Sequence, residues 1–196
     1  MNAHVAVRDA TAADAPALAA IYNEYVHGTV ITFEVDPVTE ADMATRVAKV
    51  HSAGLPYLVA EDTELRGELA GGEGNGGAAI LGFAYASPFQ ERFAYRHSLE
   101  TTVYLHEGAT GRGVGSELYV ELLERLRHLE ASQSPHAPVH RAYARIALPN
   151  AASVALHEHF GFRQVATLTE VGFKLDRWID VGFWELALHP VAMESS

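Results

Sequence analysis

Apolar residues recur along this chain with the two periods that distinguish strands from helices. The stretch VAVRDAT near the start alternates apolar and polar positions, which is typical of a short strand. In the following stretch, TAADAPALAAIYNEYV, apolar side chains return at helical spacing behind a capping residue, Thr11 or Asp14. These side chains are Leu18, Ile21, Tyr22 and Val26. The chain therefore opens with a strand and an amphipathic helix.

A second helix is predicted over TEADMATRVAKVHSAG, in which Thr39 and Asp42 have the spacing of a capping pair and Gly54 is placed to end the helix. Two stretches rich in β-branched and aromatic residues follow, LPYLVAED and AAILGFAYASPF, and they predict two strands. The Gly- and Glu-rich segment between them, residues 62–77, is longer than a hairpin turn needs and predicts a surface loop.

The second half of the chain continues this alternation. Strands are predicted over SLETTVYLH, RAYARIAL, VATLTEVGF and WIDVGFWELAL. Two helices lie between them: one has apolar side chains at steps of four and three, and the other runs from Asn150 to a stop at Gly161. The stripe of the first helix consists of Val114, Leu118, Leu122, Leu126 and Leu129. The order of elements predicts one α/β domain over residues 1–196, with helices packed on a sheet.

Length and composition limit the classes of function. At 196 residues with 48% hydrophobic content, the chain can bury one core. Its 14 basic and 25 acidic residues give a formal charge of −11, which repels phosphate backbones and anionic lipids, so we expect neither nucleic acid nor a membrane as partner. The sequence contains no cysteine, which excludes disulfides, thiolate metal sites and an acyl-cysteine intermediate. Without a signal pattern or an apolar run of about 20 residues, it predicts a soluble cytoplasmic protein.

The stretch TGRGVGSELYVELLERL concentrates glycine before a predicted helix, at Gly111, Gly113 and Gly115. A dinucleotide fingerprint fails because its third glycine position falls on serine or leucine, and a phosphate loop fails because no Gly-Lys-Ser/Thr follows. Two interpretations remain. The bare backbone N–H groups could hold a pyrophosphate at the helix N-terminus, with Arg112 adding charge, or the glycines could serve only a tight turn.

The order of blocks around this stretch resembles the GNAT superfamily of acetyl-CoA-dependent N-acetyltransferases. Four separated blocks are similar to its phosphinothricin and methionine-sulfoximine acetyltransferase branch, and the resemblance runs from about Val7 to Leu188. The blocks are YNEYVHGTVITFEVDPVT, FAYASPFQERFAYRHSLETTVYLH, SVALHEHFGF and VGFKLDRWIDVGFW. The resemblance implies a mixed central β-sheet flanked by helices, acetyl-CoA as co-substrate, a small-molecule amine as acceptor and a homodimer. The loops at 62–77 and 131–140 look like expansions against the branch, and we expect solvated surface there.

On this resemblance, the loop before the long helix binds the coenzyme A pyrophosphate, and the strand from Val103 to Leu105 lies along the pantetheine arm and the acetyl carbonyl. The residues so assigned to the coenzyme are Val103, Tyr104, Leu105, Thr110, Gly111, Arg112, Gly113, Val114, Gly115, Ser116, Asn150 and Ser153. The sequence departs from the family at Thr110, where glutamine or arginine is usual, which matters little for a loop that binds through N–H groups. The N–H of Val103 or of Leu105 is expected to polarise the carbonyl.

Two residues match the catalytic positions of the family. Glu100 matches a general-base glutamate just before the coenzyme strand, where a carboxylate could take the ammonium proton directly or through one water. His157 stands where most of the superfamily has tyrosine and this branch has histidine, and its imidazole could help take the amine proton or return one to the thiolate. No metal is expected, because His157 and His159 are two positions apart and point to different helix faces.

The acceptor implied by the branch is the α-amino group of a small amino-acid-like molecule. Acetylation of protein amines and a catalytically silent coenzyme-binding module are the alternatives. The substrate carboxylate needs a cation, and Arg96 and Lys174 match branch positions near the amino-acid pocket. Phe33 is expected to form a wall of that pocket, with Tyr95 and His97 beside Arg96. Three aromatic residues near the C-terminus are expected in the core or in a subunit contact: Trp178, Phe183 and Trp184.

Overall fold

The computed structural model describes residues 4–66 and 78–189, and these residues form seven strands and four α-helices. In chain order they are β1 (Val5–Asp9), α1 (Ala15–Gly28), α2 (Glu40–Ser52), β2 (Tyr57–Arg66), β3 (Ala78–Pro88), β4 (Ser98–Leu105), α3 (Val114–Arg127), β5 (Arg141–Ala147), α4 (Ala151–His159), β6 (Arg163–Lys174) and β7 (Arg177–Ala187). Each predicted helix and strand is present. β2 extends into the segment expected as a loop at 62–77, and residues 67–77 lie outside the described residues. Within the described ranges, no helix is both long enough and apolar enough to cross a membrane.

The strands form one mixed sheet in the order β1-β2-β3-β4-β5-β7-β6, in which only β4 and β5 are parallel neighbours. Tyr22 of α1 packs edge-on against Tyr104 of β4 at a ring separation of 5.0 Å, whereas the Tyr119 hydroxyl of α3 lies 3.3 Å from the Thr101 hydroxyl of the same strand. Residues 101 and 104 are an odd number of positions apart, so their side chains project from opposite faces. We call these the α1 face and the α3 face. The predicted mixed sheet flanked by helices is confirmed.

The helix ends follow the predicted signals. The Thr39 hydroxyl accepts the Asp42 N–H at 3.1 Å and donates to the Asp42 carboxylate at 2.6 Å, which caps α2. The Asn150 side chain accepts a backbone N–H of the first turn of α4 at 3.1 Å. Gly54 and Gly161 follow α2 and α4 with φ of +66° and +85°, a conformation that glycine adopts without steric cost. These signals fix where α4 begins, beside the site described below.

Residues 131–140 differ from the expectation of a solvated loop. Ser134 is 2% exposed, and its hydroxyl donates to the Ala53 carbonyl at 2.7 Å. The segment packs on the end of α2, where a Cβ on Gly54 would come within 2.0 Å of the Gln133 carbonyl oxygen. The expectation was wrong here because a stretch rich in proline, serine and histidine has no periodicity that would reveal a buried contact.

Gly54→Ala is expected to lower the free energy of unfolding by roughly 2–5 kcal/mol, because a left-handed residue with a Cβ costs about 1–2 kcal/mol and the new methyl group displaces the packed segment. Urea unfolding measures the loss. Gly161→Ala is the matched control, since it is also left-handed but its Cβ would have no atom closer than 3.7 Å. Equal losses in the two variants would contradict the packing of residues 131–140 on α2.

Candidate active site

The strands β4 and β5 separate at the centre of the sheet. They pair at three positions, from Ser98 with Arg141 to Glu100 with Tyr143. Beyond this point they diverge, and the gap between them forms a cleft of about 50 Å³. The cleft is lined by Ile31, Thr101, Thr102, Val103 and Tyr104, by Ala144, Arg145, Ile146 and Ala147, and by Asn150, Ser153 and His157.

Alternate residues of β4 direct their backbone groups towards this cleft. The carbonyl of His97, just before β4, accepts two N–H groups at the start of β5, whereas the His106 N–H, just after β4, donates back to β3. The backbone groups of a strand point to the same neighbouring strand at every second residue, so those of Val103 and Leu105 also point to the β5 side. The Tyr25 hydroxyl donates to the Leu105 carbonyl at 2.5 Å and lies 3.3 Å from the Leu105 N–H. Of Val103 and Leu105, only Leu105 has the Tyr25 hydroxyl as a partner of its backbone groups. Val103 directs its backbone to the cleft without this partner.

The glycine-rich turn before α3 leaves its backbone uncovered. Gly111 and Gly113 have φ of +72° and +81°, and the space that a Cβ would occupy at either residue has no atom within 4 Å. Gly113 is the N-cap of α3 and makes no side-chain capping bond. The N–H groups of Val114 and Gly115, in the first turn of α3, have no intrahelical partner and lie at the positive end of the helix dipole. Such a helix start binds anions.

The polar side chains of this turn are engaged within the protein. The Thr110 hydroxyl donates to the Glu107 carbonyl at 2.9 Å, and the Arg112 guanidinium lies 3.5 Å from the Asp62 carboxylate. The Ser116 N–H is bonded to the carbonyl of the cap residue at 3.0 Å. An anion at this turn would be bound mainly by backbone N–H groups, with Arg112 as the nearby cation.

His157 lies on the α3 face at the end of the cleft and is 3% exposed. Its Nδ1 lies 2.7 Å from the Ser153 carbonyl, which can only accept, so Nδ1 carries the proton. Nε2 then accepts the Tyr119 hydroxyl at 2.6 Å. Burial lowers the pKa of His157 below its ordinary value. The imidazole is therefore neutral at pH 7 and held at both nitrogens.

Tyr119 is a site residue that the sequence pattern did not reveal. It is fully buried, and its hydroxyl lies 3.3 Å from the Thr101 hydroxyl as well as against His157. The Thr101 hydroxyl also lies 3.3 Å from the Tyr143 carbonyl, so a line of polar contacts runs from α4 to the junction of β4 and β5. Burial raises the pKa of Tyr119, so its hydroxyl stays protonated. The one signal for it in the sequence was its position next to Leu118 of the apolar stripe. A tyrosine buried there needs a hydrogen-bond partner for its hydroxyl.

Glu100 projects from the opposite face of the sheet, because it directly precedes Thr101. Its carboxylate accepts Nε of Arg145 at 2.8 Å at one oxygen, and a terminal guanidinium nitrogen lies 2.7 Å from the other. Arg145 was also missed, since the alternation in RAYARIAL indicates only a polar strand face. Glu100 and His157 thus lie on opposite faces near the point where the strands part, and the structure does not bring their side chains into contact.

The residues predicted to bind the acceptor fall into two groups. Arg96 borders a cavity of about 920 Å³ on the α1 face, between α2 and the turn before β4, and its guanidinium lies 4.4 Å from the centre of the Phe93 ring. Tyr95 beside it is 45% exposed, and the His97 ring lies 3.3 Å from the His136 carbonyl. This group lies on the same face as Glu100, although Tyr95 and His97 do not line the cavity.

The second group lies on β6 and on the segment after α1. The Lys174 ammonium donates to the Thr32 carbonyl at 2.9 Å and lies 3.4 Å from the Tyr25 carbonyl. Its side chain is buried, which lowers the pKa of Lys174. Phe33 packs against Gly172, where a Cβ would come within 2.3 Å of the ring. Lys174 and Phe33 therefore tie the segment after α1 to β6.

These parts fit one class of reaction. A helix start for a pyrophosphate, a strand edge whose N–H can polarise a carbonyl, and proton-transfer groups on two faces suit acyl transfer from a coenzyme to an amine. Residues 4–66 and 78–189 contain no group of three or more side chains that could hold a metal ion.

Comparisons with known proteins agree with this class. The chain matches the Acetyltransferase (GNAT) domain family over residues 77–182. It is 40% identical to the phosphinothricin N-acetyltransferase of Streptomyces coelicolor, covering 95% of this chain and 98% of that protein. It is 35% identical to the L-methionine sulfoximine/L-methionine sulfone acetyltransferase of Pseudomonas aeruginosa, covering 94% and 95%. A crystal structure of a phosphinothricin acetyltransferase from Sinorhizobium meliloti in complex with acetyl-CoA matches with a TM-score of 0.80 and 35% identity, covering 94% of this chain and 88% of that chain.

The chain therefore belongs to the GNAT acetyltransferase family. Within that family it is similar to proteins named for phosphinothricin and methionine sulfoximine. The family, the fold and the enzyme class expected from the sequence are confirmed. The acetyl-CoA bound in the Sinorhizobium protein agrees with the expected co-substrate. The roles assigned to individual residues stay predictions.

The buried, neutral state of His157 predicts a pH-dependent stability. Because its pKa is lowered in the folded protein, the unfolded chain binds a proton at a higher pH than the folded chain does. The free energy of unfolding therefore decreases as the pH falls below about 6.5, the ordinary imidazole pKa. The contribution of His157 to this slope is up to about 1.4 kcal/mol per pH unit. The measurement is the free energy of unfolding by urea across the neutral and mildly acidic range.

A His157→Gln variant is expected to lose this part of the pH dependence. His159→Gln is the matched control, since His159 is exposed on the same helix and should leave the dependence in place. An unchanged slope in His157→Gln would show that the imidazole is not held neutral by burial.

Proposed function

We propose that this chain is a single N-acetyltransferase domain that moves the acetyl group of acetyl-CoA directly to the α-amino group of a small amino-acid-like substrate. The observation that carries the proposal is the parting of β4 and β5, with Glu100 on one face of the junction and His157 on the other. An acetyl group in the cleft would meet an amine from the α1 face, and its sulfur would leave on the α3 face. The names of the 40% and 35% identical relatives support the substrate class.

The coenzyme would bind through backbone groups. The turn from Gly111 to Gly115 suits a pyrophosphate, and the edge of β4 from Val103 to Leu105 suits the amide groups of the pantetheine arm. Asn150 and Ser153 border the cleft beside that edge. The Val103 N–H is the donor proposed to polarise the acetyl carbonyl, because the Leu105 N–H already has the Tyr25 hydroxyl as partner.

Glu100 and His157 would divide the proton transfers. The amine nitrogen attacks the acetyl carbon and gives its proton to Glu100, directly or through one water, while the carbon–sulfur bond breaks and the thiolate takes a proton on the α3 face. His157 and Tyr119 lie on that face as one hydrogen-bonded pair. His157 is the member of this pair proposed to take up a proton and return it to the thiolate.

Glu100→Gln and His157→Phe are each expected to lower kcat by about 10²–10⁴-fold, the usual contribution of a general acid or base, while acetyl-CoA still binds. Thiol release gives kcat, and isothermal titration calorimetry gives the affinity for acetyl-CoA. Glu185→Gln is the matched control, because Glu185 is also a strand glutamate paired with an arginine but lies on β7, one strand away from the parting of β4 and β5. Unchanged turnover in both site variants would refute the assignment.

A panel of amines tests the substrate class. Purified protein and acetyl-CoA are mixed with phosphinothricin, methionine sulfoximine, methionine sulfone, common amino acids or a short peptide, and the released thiol is measured. We expect strong release with one of the first three compounds. Release with the peptide alone would favour a protein acetyltransferase, and binding of acetyl-CoA without release would favour a coenzyme-binding module.

We further propose that the protein acts in the cytoplasm, the compartment that supplies acetyl-CoA. We also propose that it forms a homodimer through the β6–β7 hairpin. β6 is an edge strand, and the hairpin carries six exposed large hydrophobic side chains. They are Val165, Leu168, Val171, Phe173, Leu175 and Trp178. Apolar surface on an open sheet edge favours a contact with a second copy. Of the other two aromatic residues expected in the core or a subunit contact, Trp184 is buried and Phe183 is half-buried.

Trp178→Glu is expected to shift the protein from dimer to monomer, because it places a charge in this apolar surface. Analytical ultracentrifugation over a range of protein concentrations measures the change. Val120→Glu is the matched control, since Val120 is 56% exposed on α3, outside the hairpin, and should leave the dimer intact. Wild-type protein that is monomeric at every concentration would rule out the homodimer.

A further inference from the structure

The carboxylate proposed as the base is bound by an arginine at both oxygens. Arg145 follows Tyr143 by two positions on β5, where the strands have already parted, and reaches back to Glu100 with contacts of 2.8 and 2.7 Å. The Glu100 side chain is largely covered, at 14% exposed. The Arg145 side chain is 56% exposed and borders the cleft. The pair therefore stands where an acceptor entering from the α1 face would arrive.

This ion pair can be exchanged for bonds to a substrate. An ion pair with one solvent-exposed partner is weak in water, so it opens at little cost. While it is closed, the guanidinium occupies the lone pairs with which Glu100 would accept a proton. An α-amino acid carries an ammonium and a carboxylate on the same carbon. Its ammonium can replace Arg145 on Glu100 while its carboxylate replaces Glu100 on Arg145.

We propose that Arg145 binds the carboxylate of the acceptor and thereby selects α-amino acids over other amines. This inference rests on the proposed function and names the specificity residue of the same site. Two other candidate cations have different partners: the Lys174 ammonium is bonded to backbone carbonyls, and the Arg96 guanidinium lies over the Phe93 ring. The planar fork of Arg145 suits a carboxylate. Substrate binding also uncovers the base, so Glu100 becomes available when an amino acid is present.

Paired acceptors test the proposal. Kinetics compare the best acid among phosphinothricin, methionine sulfoximine and methionine sulfone with its α-carboxamide, which keeps the amine and side chain but lacks the α-carboxylate. In wild type, kcat/KM is expected to be higher for the acid. Arg145→Gln should lower kcat/KM for the acid roughly 10- to 100-fold, the effect of losing a hydrogen bond to a charged group, and leave the amide unchanged or improved. For Arg145→Lys, kcat/KM for the acid should lie between the values of wild type and Arg145→Gln, because lysine keeps the charge but lacks the planar fork of two N–H donors.

Arg163→Gln is the matched control. Arg163 also bridges neighbouring strands, to Glu185 at 2.8 Å with side-chain exposures of 74% and 18%, and its loss should leave the ratio of acid to amide unchanged. Equal losses for acid and amide in Arg145→Gln would mean that Arg145 only positions Glu100, and no loss in either would give it no role. Both results overturn the proposal.

The two levels of the proposal fail differently. If wild type acetylates neither acid nor amide, the proposed function fails, and the role of Arg145 fails with it. If wild type acetylates the acid but Arg145→Gln keeps the wild-type ratio of acid to amide, only the role of Arg145 fails.

Discussion

β4 and β5 part after Glu100 and Tyr143, and this divergence determines where the rest of the site lies. If the parallel pairing continued, it would satisfy the backbone groups of Val103 within the sheet and close the cleft. The divergence instead opens a strand edge near the centre of a seven-stranded sheet. α3 is the next α-helix after β4 along the chain, and α4 is the next after β5. The start of α4 borders the cleft, and Gly115 at the start of α3 lies near Leu105 of β4 and Leu156 of α4.

The two faces of this junction differ in electrostatics. On the α3 face, His157 and Tyr119 are buried, neutral and hydrogen-bonded to each other, because an isolated charge at that depth is expensive. On the α1 face, Glu100 and Arg145 are charged, and the arginine is open to water. A charged amine can reach the second face without crossing the apolar core. This asymmetry supports an acceptor on the α1 face and a departing thiolate on the α3 face.

Sequence patterns predicted what depends on neighbours along the chain. The caps at Thr39 and Asn150 and the strand and helix periods are signals that act over a few residues. The site depends on contacts between distant positions. Tyr119 meets its histidine across 38 positions, and Arg145 meets its glutamate across 45, and no periodicity encodes either contact. The burial within residues 131–140 was not predicted for the same reason, since it depends on a contact with the end of α2. Resemblance to a family located Glu100 without revealing its partner.

The most direct test of the central claim, that the thioester lies in the cleft against Val103, is the amide NMR spectrum of ¹⁵N-labelled protein during titration with acetyl-CoA. We predict a large shift of the Val103 amide together with the amides of the Gly111–Gly115 turn, and a small shift for Tyr104, whose N–H is directed to β3. Coenzyme A without the acetyl group should shift the turn but affect Val103 less. Saturation of the turn by acetyl-CoA with no change at Val103 would contradict the claim.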